Sequence, residues 1–248
     1  MSGTFFCVGV GPGDPELLTW KAISVIEQAD VLVIPVSDKS LEKPVYTDKT
    51  DVTMQKYLVQ CMAYQIVKEK LPGLREKEKL YLPMPMIKDK ERLKQIHDKD
   101  TALLLHILDR EKTAAFITLG DPSVYSTCLY IQKRVKKKGY PTELVPGVPS
   151  FCAAAARLNK GLAENKEQIH IIPASYGVEE ALCLPGTKVL MKAGRKMPEV
   201  KQAVKRCGME MEMVENCGMK GERIYTDIEE IPDEAGYYSL LIIKEKKG

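Results

Sequence analysis

Nowhere in its 248 residues does this chain approach the ~18 consecutive apolar positions that a membrane-spanning helix requires. Its first ten residues carry neither a basic segment nor a long apolar one. A cytoplasmic protein without a membrane partner is expected. The seven cysteines, at 7, 61, 128, 152, 183, 207 and 217, are odd in number and never closer than ten positions, which excludes a disulfide framework and paired zinc spacing. They are expected to be reduced, buried thiols. Charge of one sign is not in excess: 37 Lys and Arg against 34 Asp and Glu leave +3. The isoelectric point of 8.3 stays below the value of about 9 that marks a nucleic-acid footprint. Nucleic acid is therefore not an expected partner. His97, His106 and His170 show no metal-ligand spacing and are expected in structural roles, with no metal site. Repeats and low-complexity segments are also missing.

What is present is an ordinary soluble composition, 44% hydrophobic and 29% charged, on a chain long enough for one large or two smaller domains. Strand-like and helix-like segments alternate through the first part. Phe5 to Val10 is an apolar run ending in glycines, and Asp14-Pro15-Glu16 supplies a cap, a first-turn proline and a first-turn acid. The spacing predicts a helix starting there, carrying Leu17, Leu18, Ala22, Val25, Ile26 and Ala29, followed by the β-branched run Val31 to Ile34. Further strands are predicted near Lys79 to Met84, at Thr113 to Leu119 and at Glu143 to Val145, with helices between them. Five helix-separated strands imply a mostly parallel sheet. After Pro146-Gly147-Val148-Pro149 the texture changes: Ser150 caps an alanine-rich helix. Strands then follow at Ile169 to Ile172, Thr187 to Lys192, Glu210 to Glu215, Arg223 to Thr226 and Tyr238 to Ile243. The last two lie close together, as in an antiparallel sheet. Two α/β domains are expected, 1–147 and 148–248.

In open α/β sheets ligands bind beyond the carboxyl ends of strands, so three turns draw the eye. Gly9-Val10-Gly11-Pro12-Gly13-Asp14 departs from the dinucleotide fingerprint because its third glycine is one position early. It is either a tight turn needing positive φ or a ligand-contacting loop. Thr118 to Tyr125 contains Gly120, which admits close approach to the backbone, and Asp121, which can cap the next helix and accept hydrogen bonds from a ribose or amine. Val145 to Ser150 is either a plain connection or part of a ligand site at a domain junction.

The N-terminal GxGPGDP, the mid-chain GDPxxY after a strand, VPGVxSF before an alanine-rich helix, and Leu190-Met191-Lys192-Ala193-Gly194-Arg195 occur in this order. Together they resemble the tetrapyrrole methyltransferases, over about residues 4 to 244. Leu119 to Thr127 and Met191 to Arg195 are similar to the branch that methylates carbon 20 of precorrin-2 or of its cobalt form, cobalt-factor II. The resemblance implies a two-domain class III methyltransferase of cobalamin biosynthesis, each domain a five-stranded sheet flanked by helices, with S-adenosylmethionine in a cleft between domains and a homodimeric assembly. It implies cofactor contacts at Pro12, at Leu119, Gly120, Asp121, Val124 and Tyr125, at Ser150, and at Met191. Gly11 and Gly13 are then turned to the tetrapyrrole. Pro149 stands where many relatives carry a hydroxyl residue. The aspartate that uroporphyrinogen-methylating relatives place after the second strand is replaced by Ile34-Pro35-Val36, so that role is not carried over.

A sulfonium methyl is already electrophilic, so catalysis consists mainly of holding the nucleophilic carbon in line with it and excluding water. Tyr125, Asp121 or a bound water are candidates to take the departing proton, and no catalytic base is assigned. The substrate's carboxylates call for cations at strand ends: Lys39, with Lys43 nearby, then Lys192 and Arg195. Two other readings stay open: a methyltransferase of the same fold acting elsewhere on a tetrapyrrole or on a protein side chain, and a non-catalytic corrinoid or nucleotide carrier.

Overall fold

In a computed structural model that describes residues 2–48, 51–173 and 178–246, the chain divides into two compact units, Met1–Pro149 and Ser150–Gly248. The first unit runs β1 (Phe5–Gly9), α1 (Trp20–Gln28), β2 (Val31–Val36), β3 (Val45–Thr47), α2 (Gln55–Gln60), α3 (Met62–Lys70) and β4 (Glu78–Pro83). It continues through α4 (Lys90–Leu108), β5 (Ala114–Thr118), α5 (Cys128–Lys137) and β6 (Thr142–Val145). Its sheet has the order β3-β4-β2-β5-β1-β6, parallel throughout except that β3 runs against β4. This is six strands rather than the five expected. Val45–Thr47 is only three residues long and half-buried, too short to leave a periodic signal. Tyr46 secures it: its hydroxyl donates to Glu78 Oε2 at 2.5 Å, and Lys112 Nζ lies 2.6 Å from the same carboxylate.

The inner strands β1, β2 and β5 of this unit are apolar on both faces because helices cover both. Along β2, Leu32 and Ile34 pack with Ile26 of α1, Tyr57 of α2 and Val67 of α3. Val31 and Val33 pack on the opposite side with Leu104 of α4 and Ile131 of α5. Pro35, which has no N–H to give a ladder, is tolerated in this inner strand because β2 pairs with β5 only through Val31–Val33.

Two helices begin later than their sequence signals predict. Asp14 caps only a short 3-10 turn, Pro15–Leu17, and α1 starts at Trp20 under a second cap, Thr19, whose Oγ1 accepts from Ala22 N at 3.1 Å. Leu17 and Leu18 therefore lie outside the helix. Likewise Asp121 closes a single turn, and α5 starts only at Cys128. Its basic end, Lys136 and Lys137, meets the negative helix terminus, and Gly139 at φ 88° takes the left-handed stop position. The sole tryptophan, Trp20, opens α1 with 86% of its surface in solvent.

The second unit contains α6 (Ser150–Arg157), β7 (Ile169–Pro173), α7 (Val178–Leu182), β8 (Thr187–Met191), α8 (Met197–Arg206), β9 (Met209–Glu215), β10 (Arg223–Tyr225) and β11 (Ser239–Glu245). The five strands order as β10-β9-β11-β8-β7, with only β7 and β8 parallel. β10 and β11 do not pair with each other, despite their closeness in sequence. Both lie antiparallel against β9, whose alternation places Met211 and Met213 in the core with Val200 and Val204 of α8. The expectation of uniformly buried thiols holds for Cys7, Cys61, Cys128 and Cys217, and fails for Cys152, Cys183 and Cys207, which are exposed. These three lie within α6, just after α7 and at the end of α8, and the core stripes of those helices run through other residues.

One buried group works against the fold. Asp100 of α4 has no solvent exposure, and neither carboxylate oxygen finds a hydrogen-bond partner. Burial pushes its pKa up to about 8, with Arg134 partly offsetting this. The folded-state value lies above the unfolded value of about 3.9, so Asp100's contribution is intact below pH about 4 and stability is lost as pH rises toward 8. Asp100→Asn is expected to melt close to the parent at pH 3.5 and several degrees above it at pH 8. Thermal unfolding at the two pH values checks this.

Candidate functional site

The sheet order of the first unit creates a switch point between neighbouring strands β1 and β5. From β1 the chain crosses toward β2, and from β5 it crosses the other way to β6, so the two loops leave in opposite directions and open a crevice at the carboxyl edge. There the loops after β1 and β5 meet backbone to backbone. Gly120 N donates to Gly11 O at 2.8 Å, Gly11 N to Gly120 O at 3.3 Å, and Val10 N to Thr118 O at 2.9 Å. Gly11 and Gly120 both take positive φ, 77° and 64°.

The loop after β6 joins them. A Cβ on Gly147 would lie 2.2 Å from Gly120 O and 2.7 Å from Gly9 C, and one on Gly9 would lie 2.7 Å from Gly147 N. Asp121 closes the junction: Oδ1 accepts from Ser123 N at 2.8 Å and Oδ2 from Gly147 N at 3.1 Å. Its carboxylate thus ties the β5 loop to the β6 loop. Beyond this turn Tyr125 adopts φ 49°, which costs a non-glycine residue about 1–3 kcal/mol, and about half its surface faces solvent. The Thr118 Oγ1 to Ser126 Oγ bond of 2.9 Å closes the loop behind it.

In the second unit the turn after β8 is built similarly. Met191 is half-buried at the strand end, and Lys192 follows at φ 62°. A Cβ on Gly194 would lie 2.2 Å from Ala235 O. Lys192 Nζ sits 5.4 Å from the centre of the Tyr237 ring, within cation–π range.

Residues 4–232 match the family described as Tetrapyrrole (Corrin/Porphyrin) Methylases. The chain belongs to the tetrapyrrole methylases. It is 34% identical, over 97% of its own length and 95% of the relative's, to a Methanocaldococcus jannaschii protein named "Probable cobalt-precorrin-2 C(20)-methyltransferase". It is 25% identical to the cobalt-precorrin-2 C(20)-methyltransferase of Salmonella typhimurium, covering 99% of this chain and 98% of that one. Among solved structures it is similar to the uroporphyrin-III C-methyltransferase of Thermus thermophilus complexed with S-adenyl homocysteine. That likeness has a TM-score of 0.66 and 23% identity, and covers 98% of each chain.

Within this tetrapyrrole methylase the residues singled out in sequence distribute by unit. Gly11, Pro12 and Gly13 follow β1, and Leu119, Gly120, Asp121, Val124 and Tyr125 follow β5. Lys39 follows β2, so parallel topology puts all of them at one end of the first sheet. Ser150 opens α6 as its first residue rather than preceding it as a cap. Met191 ends β8 and Lys192 begins the turn after it, while the Arg195 side chain lies outside the described residues. Among the described residues no group of three His, Cys, Asp or Glu side chains converges as a metal site. The histidines are engaged locally. His97 stacks on Tyr130 at 5.3 Å, His106 Nε2 is 2.8 Å from Arg110, and His170 Nε2 is 3.0 Å from Pro185 O.

Sequence reasoning missed Lys56 of α2, a second cation beside the Lys39 turn, whose Nζ donates to Ser40 Oγ at 3.1 Å. It also missed Gly9 and Gly147 as mutual contacts, because nothing in one chain's order tells which glycines face each other. Gly147→Ala forces an impossible contact and is expected to lower stability by about 1–3 kcal/mol. Asp121→Ala, which strands the Gly147 N–H, is expected to cost about 1–3 kcal/mol as well. Urea unfolding measures both.

Proposed function

We propose that this protein transfers a methyl group from S-adenosylmethionine to carbon 20 of cobalt-factor II, the cobalt form of precorrin-2, in assembly of the corrin ring of cobalamin. The observation that carries this reading is the convergence of the three motif loops after β1, β5 and β6 at the switch point, in a chain related end to end to proteins named for that step. The cobalt form is favoured over metal-free precorrin-2 because the name of the 34% identical relative specifies cobalt, whereas the names at 25–26% identity divide between the two forms.

The residues fit a nucleoside-bearing methyl donor. The positive-φ backbone of Gly11 and Gly120 carries no Cβ, and the same loops bring apolar Pro12, Leu119 and Val124 with the Tyr125 ring, the usual mix of polar backbone and apolar wall. In this reading Pro12, Leu119, Gly120, Asp121, Val124 and Tyr125 hold S-adenosylmethionine. Bound there, it supplies an electrophilic methyl group. The protein's own contribution is orientation: the loops are already locked by backbone hydrogen bonds, so the entropy of ordering them is not spent again on binding. Gly11 and Gly13 face the macrocycle, and Lys39, Lys192 and Arg195 meet its carboxylates. No general base is assigned. The reading takes the enzyme as a cytoplasmic homodimer; among the described residues no helix is long and apolar enough to cross a membrane.

The test is incubation with methyl-labelled S-adenosylmethionine and cobalt-factor II, with the label located by NMR. Label at carbon 20 supports the reading. No labelled product defeats it, and label at another carbon replaces it with a different tetrapyrrole methylation. Arg195→Ala is expected to weaken tetrapyrrole binding about tenfold while leaving S-adenosylhomocysteine binding within about twofold, both read by calorimetry. Equal loss of both, or of neither, removes Arg195 from the substrate site.

A further inference from the structure

At the end of β9 stands a carboxylate that no motif singled out. Glu215 is 7% exposed, and its Oε1 accepts the Gly236 N–H at 2.5 Å. A hydrogen bond from backbone N–H to an ionised acceptor in such a dry place is stronger than a neutral one. A Cβ at position 236 would lie 2.7 Å from that same oxygen, so a side chain there would displace the carboxylate. The next residue, Asn216, reinforces the attachment, its N–H donating to Tyr238 O at 3.1 Å. Segment 235–239 is therefore stapled to the end of β9 on one side.

On its other side the same segment shapes the turn after β8. Lys192 N donates to Ser239 O at 3.3 Å. Gly194 is pressed against the carbonyls of Ala235 and Gly236, where a Cβ would come within 2.2 and 2.8 Å. The Tyr237 ring, edge-on to Tyr238 at 5.2 Å, lies under the Lys192 ammonium. Lys192 holds a left-handed backbone without the freedom of glycine, a conformation that persists only where neighbours dictate it. Those neighbours all belong to the segment that Glu215 anchors.

We infer that Glu215 is a positioning residue for substrate recognition: through Gly236 and Tyr237 it fixes the direction in which Lys192 presents its charge to a carboxylate of the tetrapyrrole. This rests on the proposed role of Lys192. A cation aimed in advance binds with less loss of side-chain freedom than a mobile one, so the signature is in substrate affinity rather than in turnover.

The test compares Glu215→Ala, Glu215→Gln, Tyr237→Leu and Lys192→Met with the wild-type enzyme in steady-state kinetics. Glu215→Ala is expected to raise KM for the tetrapyrrole about tenfold, with kcat and the KM for S-adenosylmethionine within about twofold. Glu215→Gln, whose amide oxygen still accepts from Gly236, is expected to restore most of the loss. Added to Lys192→Met, Glu215→Ala is expected to cost nothing further. Should Glu215→Ala fail to fold, Tyr237→Leu, which alters an exposed ring, carries the same expectation. An unmoved tetrapyrrole KM, equal changes in both KM values, or effects that add to those of Lys192→Met overturn the inference. Wild-type enzyme that turns over no tetrapyrrole defeats the underlying reading instead.

Discussion

Direct backbone contact between glycines after β1, β5 and β6 is the constraint on which the first unit's organisation rests. Parallel strands sit roughly 4.8 Å apart, and loops leaving three adjacent strand ends ordinarily splay to make room for side chains. Here Gly9, Gly120 and Gly147 remove that need, the Gly11–Gly120 bridge extends pairing beyond the strands, and Asp121 locks the third loop. The crossing directions of the chain turn this junction into the floor of a crevice. A side chain at Gly9 or Gly147 would push apart loops whose closeness is their purpose.

The second unit solves a related problem with the same means and a different cost. Gly194 supplies the close approach, and the strain falls on Lys192, as it falls on Tyr125 in the first unit. Six non-glycine residues among those described take positive φ, and three are asparagines, which tolerate it. Of the other three, two lie in the motifs that carry the family resemblance. Backbone strain thus concentrates at the loops assigned to binding, where surrounding hydrogen bonds are dense enough to hold it.

Much of this was legible in the residues. Apolar runs at Phe5 to Val8, Val31 to Ile34 and Ala114 to Ile117 are strands because helices cover both their faces, and a strand buried on both faces must be apolar throughout. The motif loops fall at strand ends for the reason that the glycines mark them. The later start of α1 and α5 was not legible: Asp14 and Asp121 each carry a capping signal that the structure uses for a single turn, while Thr19 and Thr127 stand at the actual starts. β3 escaped because it is an edge strand held by the Tyr46–Glu78–Lys112 cluster, a set of partners far apart in the chain. The pairing of β10 and β11 with β9 rather than with each other likewise depends on contacts that local spacing does not encode. Lys56 and Glu215 share this limit, since their roles follow from what the fold brings beside them.

The placement of Trp20 has an optical consequence. With its single indole already bathed in water at the head of α1, the folded protein should fluoresce much as an unfolded chain does, and intrinsic emission becomes a poor witness to its denaturation. The same isolation makes that indole a clean reporter of surface events: any molecule or second chain settling over the first turn of α1 shifts the emission to the blue against an unchanging background.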